Sequence, residues 1–332
     1  MKSQSKPLLI VLTPVFNEAW ILPAFLKATS LWADYIIIAD QMSTDGCRDI
    51  YPLFEKVIVI DNPRAQMHMA ETRRMLFNEA KKIKGDKILF TFDADEFPSG
   101  DFIHSEGWKT IINSVPGDVF EFKWMALRPT CNQYNLWPPI PYYWAAHLDD
   151  ELLEGEYPDL FIHEWRLPWP KHVHKEYYIE DILLIHFAEA NAPRQYNKDR
   201  YYQVLQYSHP SNTGGGVAFH RMYTSRDRGV AIPVPQNAYA YYEANGLNLW
   251  KEINLTDEGA HYTKVVLEKI KELGASSLRK LDIWDAEFLQ KNNLQDPRRP
   301  LDKLMHWYLR KTKKISKTFI IRCIDYVLKR LY

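Results

Sequence analysis

The sequence predicts an α/β protein with a mostly parallel sheet flanked by helices and a helical C-terminal extension. Two observations carry this. Four short apolar runs, at residues 8–12, 35–39, 57–60 and 88–92, alternate with segments of helical spacing over about ninety residues. Strands buried on both faces read as such continuous runs, and parallel neighbours need a crossover of the length a helix supplies. Beyond Pro233 and Pro235 the strand-like runs give way to helical periodicity, so the chain divides into 1–228, an α/β domain, and 229–332, a helical region.

Taken in order, the first strand (8–12) leads into Thr13-Pro14-Val15-Phe16-Asn17-Glu18, a strand-to-helix connection. Ile21, Leu22, Phe25 and Leu26 then recur at helical spacing. The second strand (35–39) is closed by Asp40, and Ser43-Thr44-Asp45-Gly46 offers cap residues for a short helix through Phe54. The third strand (57–60), a helix (69–82) and the fourth strand (88–92) follow. Further strands are expected at 119–125 and at 182–185, the latter ending in His186. Residues 128–169 are too rich in proline for a long helix and carry many tryptophans and tyrosines. They are either a loop presenting aromatic faces to a sugar ring or a loop pinned to the core. Helices are expected at 191–207, 263–273 and 286–291, with a glycine-rich linker at 211–216. That linker lacks the Lys-Ser/Thr ending of a phosphate-binding loop.

Composition narrows the function classes. Lys+Arg 42 balances Asp+Glu 42, which argues against a general polyanion binder and against nucleic acid as partner. The 14% aromatic content leaves candidates for stacking on a ligand. Three scattered cysteines, Cys47, Cys131 and Cys323, suggest neither a disulfide framework nor a zinc site and fit a reducing compartment. His163, His172 and His174 match no closed zinc spacing. No run reaches the length needed to cross a bilayer, and the apolar start runs into Asn17-Glu18 without a small-residue cleavage site. A cytoplasmic protein is expected. From 303 onward nine Lys/Arg face one Asp, and Ile315, Phe319, Ile320, Cys323, Ile324, Val327, Leu328 and Leu331 form an apolar stripe. This basic amphipathic helix fits peripheral contact with the inner face of a membrane, packing on the protein, or a second subunit in an oligomer.

The chemistry concentrates at Asp93-Ala94-Asp95-Glu96, where the fourth strand ends. Alternation along a strand would put Asp93 and Asp95 on one face, and paired carboxylates at a strand's carboxyl end can hold a divalent cation. In an open parallel sheet ligands collect outside those ends. A polar turn is the alternative reading of the same residues.

Thr13-Pro-Val-Phe-Asn-Glu18, then Ile36-Ile-Ile-Ala-Asp-Gln-Met-Ser-Thr-Asp-Gly46, then Phe92-Asp-Ala-Asp-Glu96 resemble the three successive signatures of the inverting glycosyltransferases of family 2, of GT-A fold. The resemblance covers roughly the first hundred residues. It implies a transferase that moves a sugar from a nucleotide-diphosphate sugar to a hydroxyl of a glycan or lipid-linked glycan acceptor, in cell-surface polysaccharide synthesis. It further implies nucleotide contacts at Thr13, Pro14, Glu18, Asp40 and Arg73, and D-x-D ligands for Mn2+ or Mg2+ and the diphosphate at Asp93 and Asp95. His186 stands where many such enzymes place a late metal ligand, and imidazole beside carboxylate suits manganese better than calcium. Gln41 and Met42 depart from the usual Asp-Gly, and Arg74 and Leu76 from the usual Asn and Gly. These departures bear on base and sugar specificity. For the catalytic base the candidates are Glu176, placed first, then Asp159, Glu164 and the pair Glu180-Asp181. A sugar nucleotidyltransferase and a catalytically weak carbohydrate-binding relative are the alternatives, although the former usually begins with a glycine-rich basic loop that residues 13–18 lack.

Overall fold

The computed structural model describes residues 6–63, 68–137, 143–152, 155–156, 166–167, 169–170, 172–209, 215–223 and 230–332. It divides into two compact units, residues 1–190 with 231–255, and residues 191–230 with 256–332.

In the first unit, strands β1 (Leu8–Val15), β2 (Tyr35–Asp40), β3 (Val57–Asp61) and β4 (Lys87–Thr91) are mutually parallel in the order β3-β2-β1-β4. Helices α1 (Leu22–Ser30), α2 (Cys47–Ile50) and α3 (Met69–Ala80) make the crossovers. The sheet continues through antiparallel neighbours: β5 (Glu96–Pro98), β6 (Asp118–Leu127), β7 (Gln133–Trp137) and β8 (Ala145–Leu148). Helix α4 (Glu106–Ile112) precedes β6. The two-residue strands β9 (Gly155–Glu156) and β10 (Trp169–Pro170) pair with each other. Strand β11 (Lys175–His186) runs parallel to β6 and antiparallel to β5. This is the mixed α/β architecture that the alternating runs predict.

The reason the apolar runs are unbroken is visible in the core. Leu9, Val11, Ile36, Ile38, Ile88 and Phe90 face one cluster, beneath α1. Their alternate neighbours Ile10, Leu12, Ile37, Ala39 and Leu89 face a second, which holds Leu76, Phe77 and Ala80 of α3. Both sheet faces are covered, so every position must be apolar. Much of the aromatic surplus goes here too: Trp32, Phe90, Phe102 and Trp108 pack edge-on and stacked, with ring centroids 5.0 to 6.1 Å apart.

The expected boundary at 228/229 differs from this division. Residues 231–255 return to the sheet unit because β12 (Ile232–Pro233) pairs with β7, and α7 (Ala240–Ala244) inserts Tyr241 and Tyr242 into the aromatic core. The Tyr242 hydroxyl donates to the Pro98 carbonyl at 2.8 Å. Helix α8 (Leu249–Glu252) sets Trp250 against Phe187, centroids 5.0 Å apart.

The second unit is helical: α5 (Ala192–Ser208), α6 (Gly216–Tyr223), α9 (Ala260–Leu273), α10 (Ala286–Lys291), α11 (Pro300–Lys311) and α12 (Phe319–Leu331). The expected single C-terminal helix is therefore two, interrupted by a 3-10 turn at Lys313–Ile315. Gly216, expected in a linker, opens α6. A Cβ there would lie 2.5 Å from the Lys280 carbonyl, so only glycine allows this approach.

Buried ion pairs tie these helices. Asp282 sits with its Oδ2 3.1 Å from His220 Nε2 and its Oδ1 2.6 Å from Arg310 Nη2. Burial favours its neutral form, but the bonds from His220 and Arg310 outweigh burial and hold the carboxyl well below the usual range. As pH falls, the unfolded chain takes up this proton first. The stabilisation is therefore full above about pH 4, the unfolded value, and is lost as pH drops toward the folded one. Urea midpoints should show the gap between wild type and Asp282→Asn narrowing below about pH 4; a gap that stays constant would refute this role.

Candidate functional site

The carboxyl ends of the parallel strands meet at one rim. Register aligns Val15 with Asp40, Asp40 with Asp61, and Leu12 with Thr91. Beyond Thr91 the chain turns instead of continuing as a strand. Glu96 N donates to the Asp93 carbonyl and Asp93 N to Glu96 Oε2, both at 3.0 Å. Strand alternation therefore does not govern the two aspartates: Asp93 and Asp95 share the rim but meet different partners.

Asp93 is held by two guanidinium groups. Arg73, buried on α3, donates from Nη2 to Asp93 Oδ1 at 2.8 Å, and Arg166 donates from Nη2 to Oδ2 at 3.0 Å. Burial alone would raise the Asp93 pKa, but Arg166 and Arg73 together bring it below its ordinary value. Arg166 also makes a fork on Glu96, donating from Nη1 to Oε2 at 2.7 Å and from Nη2 to Oε1 at 2.6 Å, and reaches the Thr91 carbonyl at 3.1 Å. Its Cζ lies 3.9 Å from the Trp144 ring centroid. Glu96 is fully enclosed and accepts a further bond from Trp124 Nε1 at 2.9 Å. Burial pushes its pKa up even against Arg166.

Asp95 faces His186, with Oδ2 and Nε2 3.6 Å apart. Backbone pairing brings them together: His186 stands opposite Glu96 in the β5/β11 ladder, and Phe187 N donates to the Asp95 carbonyl at 2.9 Å. The His186 ring is stacked on Trp124 at 4.9 Å with planes 13° apart, which fixes its orientation.

The expected metal set changes accordingly. Among the described residues no group of three or more His, Cys, Asp or Glu side chains is arranged to hold a metal ion. Asp93 leaves the expected trio with Asp95 and His186 because both its oxygens turn to arginines. Asp95 and His186 remain a fitting pair. Adjacent ligands of an octahedral cation with bonds of about 2.1 Å lie about 3 Å apart, and 3.6 Å is a small closure from that.

The first two loops are bound to each other. Asn17, at φ 55°, donates from its backbone N–H to Ser43 Oγ at 2.9 Å and accepts from Thr44 N at 2.7 Å. Asp40 is fully buried. Its Oδ1 accepts from Ser43 N at 2.8 Å and Arg48 Nη1 at 3.1 Å, and its Oδ2 from the Tyr51 hydroxyl at 2.5 Å. It shapes the loop from within, where the sequence assigned it a nucleotide contact. Glu18 closes on Trp20, whose indole N–H it accepts, while Pro14 lies partly exposed next to the buried Thr13. Thr13 Oγ1 and Arg73 Nη1 are buried without a hydrogen-bond partner among the described residues. Buried polar atoms are rarely left so, and both belong to residues expected to meet the nucleotide.

Glu176 is removed from the site. Along β6 it stands opposite Val119, whereas His186 stands opposite Ala126. Seven residues of extended strand put roughly 23 Å between them. Glu176 lies instead beside Tyr143 and Glu121, whose pKa values burial first and Glu176 second push upward. Asp181 accepts from Gly107 N at 3.0 Å and anchors α4, and Glu180 adjoins it in the same strand. Asp159, Glu164 and His163 lie outside the described residues. His174 pairs with Asp118 at 2.7 Å, and His172 is exposed. Of the expected sugar-stacking aromatics, Tyr143 and Trp144 are buried, Trp137 ends β7 and Trp169 opens β10, and Tyr142 and Trp165 lie outside the described residues.

No protein-family model matches the chain, and no curated protein matches it in sequence. Among solved structures it is similar to a 4-diphosphocytidyl-2C-methyl-D-erythritol synthase, with 13% identity and a TM-score of 0.29 over 45% of this chain and 78% of that one. It is also similar to the inositol-1-phosphate CTP transferase from T. maritima, with 8% identity and a TM-score of 0.33 over 55% of this chain and 90% of that one. Likeness this distant says nothing of activity, and the α/β fold rests on the strand order itself.

Proposed function

We propose that the chain is an inverting glycosyltransferase that uses Mn2+ or Mg2+ to move a sugar from a nucleotide-diphosphate sugar to a hydroxyl of a glycan or lipid-linked acceptor, as in surface polysaccharide synthesis. The observation that carries this reading is the pairing of Asp95 with His186 at 3.6 Å, beside a buried Arg73 that keeps one N–H group without a partner among the described residues. Three motifs in the family's order add support.

In this reading Asp95 and His186 hold the divalent cation, which when bound supplies a Lewis acid for the departing diphosphate. Asp93 fixes Arg73 through Nη2 and leaves Nη1 to donate to a phosphate oxygen. Trp124 keeps the His186 ring oriented, and Glu96 keeps Arg166 and Trp124 in place. Charge on the leaving group is thus met by donors set before the substrate arrives, which is where electrostatic catalysis gains most.

Nucleotidyl transfer, the alternative that the sequence leaves open, is the second reading. Against it, the loop after β1 contains neither glycine nor a basic residue. Product analysis separates the two. Sugar transfer, or hydrolysis of the donor, releases a nucleoside diphosphate from one of a panel of UDP-, GDP-, CDP- and dTDP-sugars. Formation of pyrophosphate from a nucleoside triphosphate and a sugar 1-phosphate would replace the transferase reading with the second.

A further inference from the structure

Helix α12 has two apolar faces, and the fold uses one. Ile321 and Asp325 are buried, and Leu328 and Tyr332 pack against Val217 of α6 and Met305 and Leu309 of α11. Arg221 of α6 clamps this inner face, donating from Nε to Asp325 Oδ2 at 2.8 Å and from Nη2 to Oδ1 at 3.0 Å. The other face looks outward. Phe319 is 82% exposed, Ile320 70% and Val327 52%, and with Cys323 and Ile324 they span about 140° of the helix. On α11, Leu301, Leu304 and Trp307 recur at intervals of three and are also exposed.

Burying one face satisfies an ordinary amphipathic helix, and a second apolar stripe in water is unfavourable unless something covers it. The charge around it identifies the cover. Residues 311–330 carry seven Lys/Arg and a single acid, Asp325. That acid is turned inward, whereas Lys311, Lys314, Lys317, Arg322, Lys329 and Arg330 are exposed. A second copy docking through the same face would oppose basic rim to basic rim. An anionic bilayer accepts both features, the stripe among its acyl chains and the lysines at its headgroups. Among the described residues no helix is long and apolar enough to cross a membrane, so this one would lie in the surface.

We propose that the outward face of α12 docks this protein on an anionic lipid surface. The inference is independent of the transfer reaction.

Co-sedimentation of the full chain with vesicles tests it. Binding to phosphatidylcholine vesicles containing phosphatidylglycerol should exceed binding to pure phosphatidylcholine at least ~tenfold, each basic residue adding roughly fivefold when close to the surface, and should weaken with added salt. Phe319→Ser with Ile320→Ser should reduce vesicle binding at least ~tenfold. Both side chains are exposed, so the urea midpoint should hold. Lys314→Gln with Lys317→Gln should reduce the preference for the anionic lipid. Equal binding to both vesicles, no binding to either, or binding unchanged in the Phe319/Ile320 variant would overturn the proposal. So would a concentration-dependent dimer that the Phe319/Ile320 variant dissociates, because a second copy would then cover the face.

Discussion

Replacing Asp95 with alanine is expected to lower release of nucleoside diphosphate from the donor at least ~10²-fold, the scale on which one preorganised electrostatic contact to a leaving group acts. The effect should fall on turnover more than on KM, because the charge that Asp95 helps to meet develops as the sugar leaves. Asp95 is nearly enclosed at 5% exposure and its backbone carbonyl, not its side chain, pairs with Phe187. The variant should therefore fold. Glu176→Gln is the matched control: it lies roughly 23 Å along β6 from His186 and should leave turnover near wild type. Undiminished activity in Asp95→Ala would remove the rim from the mechanism.

Arg166→Ala is expected to have the largest effect on stability. Its guanidinium makes the fork to Glu96, the bond to Asp93 and the contact with Trp144, all at a side chain 6% exposed. Removing one partner of a buried ion pair leaves the other charge desolvated, at a cost of about 3–5 kcal/mol. The bond to Asp93 and the Trp144 stacking are lost as well. Arg166→Lys restores one charge but neither the fork nor the flat stacking surface, so it should recover only part of the loss. Urea titration of wild type, both variants and Arg166→Ala combined with Glu96→Gln measures this. The double variant should be less destabilised than the sum of its parts, because each single change strands the other's charge. A loss below about 1 kcal/mol for Arg166→Ala, as for an exposed pair, would mean that the cluster does not hold the rim together.

Arg166 also marks where the sequence stops being legible. The parallel strands were readable because both sheet faces are covered and no polar residue interrupts 8–12 or 35–39. The pairing of His186 with Asp95 was readable from motif order and strand-end position. Arg166 lies some seventy residues from Glu96 in a proline- and tryptophan-rich stretch without periodicity. Its one signal was indirect: three carboxylates within four residues at the end of a buried strand need cations, and an arginine flanked by tryptophans is a suitable one. Glu176 failed for the opposite reason. The expected strand began at 182, whereas β11 starts at Lys175 and its register with β6 slips between Tyr178 and Leu183. Glu176, placed first because it follows His174-Lys175, thus lies at the far end of a long strand from His186. Asp40 looked like a ligand contact because it ends a strand, but Ser43, Arg48 and Tyr51, each a few residues on, take up its carboxylate.

In the proposed site Asp95 and His186 together hold a cation against a nucleoside diphosphate. Electron paramagnetic resonance of Mn2+ titrated into the full chain, with UDP, GDP, CDP or dTDP present, tests it without relying on turnover. One of these diphosphates should tighten Mn2+ binding, and Asp95→Ala and His186→Ala should each weaken it at least ~tenfold. Binding of Mn2+ that is the same in wild type and both variants, for every diphosphate, would contradict it.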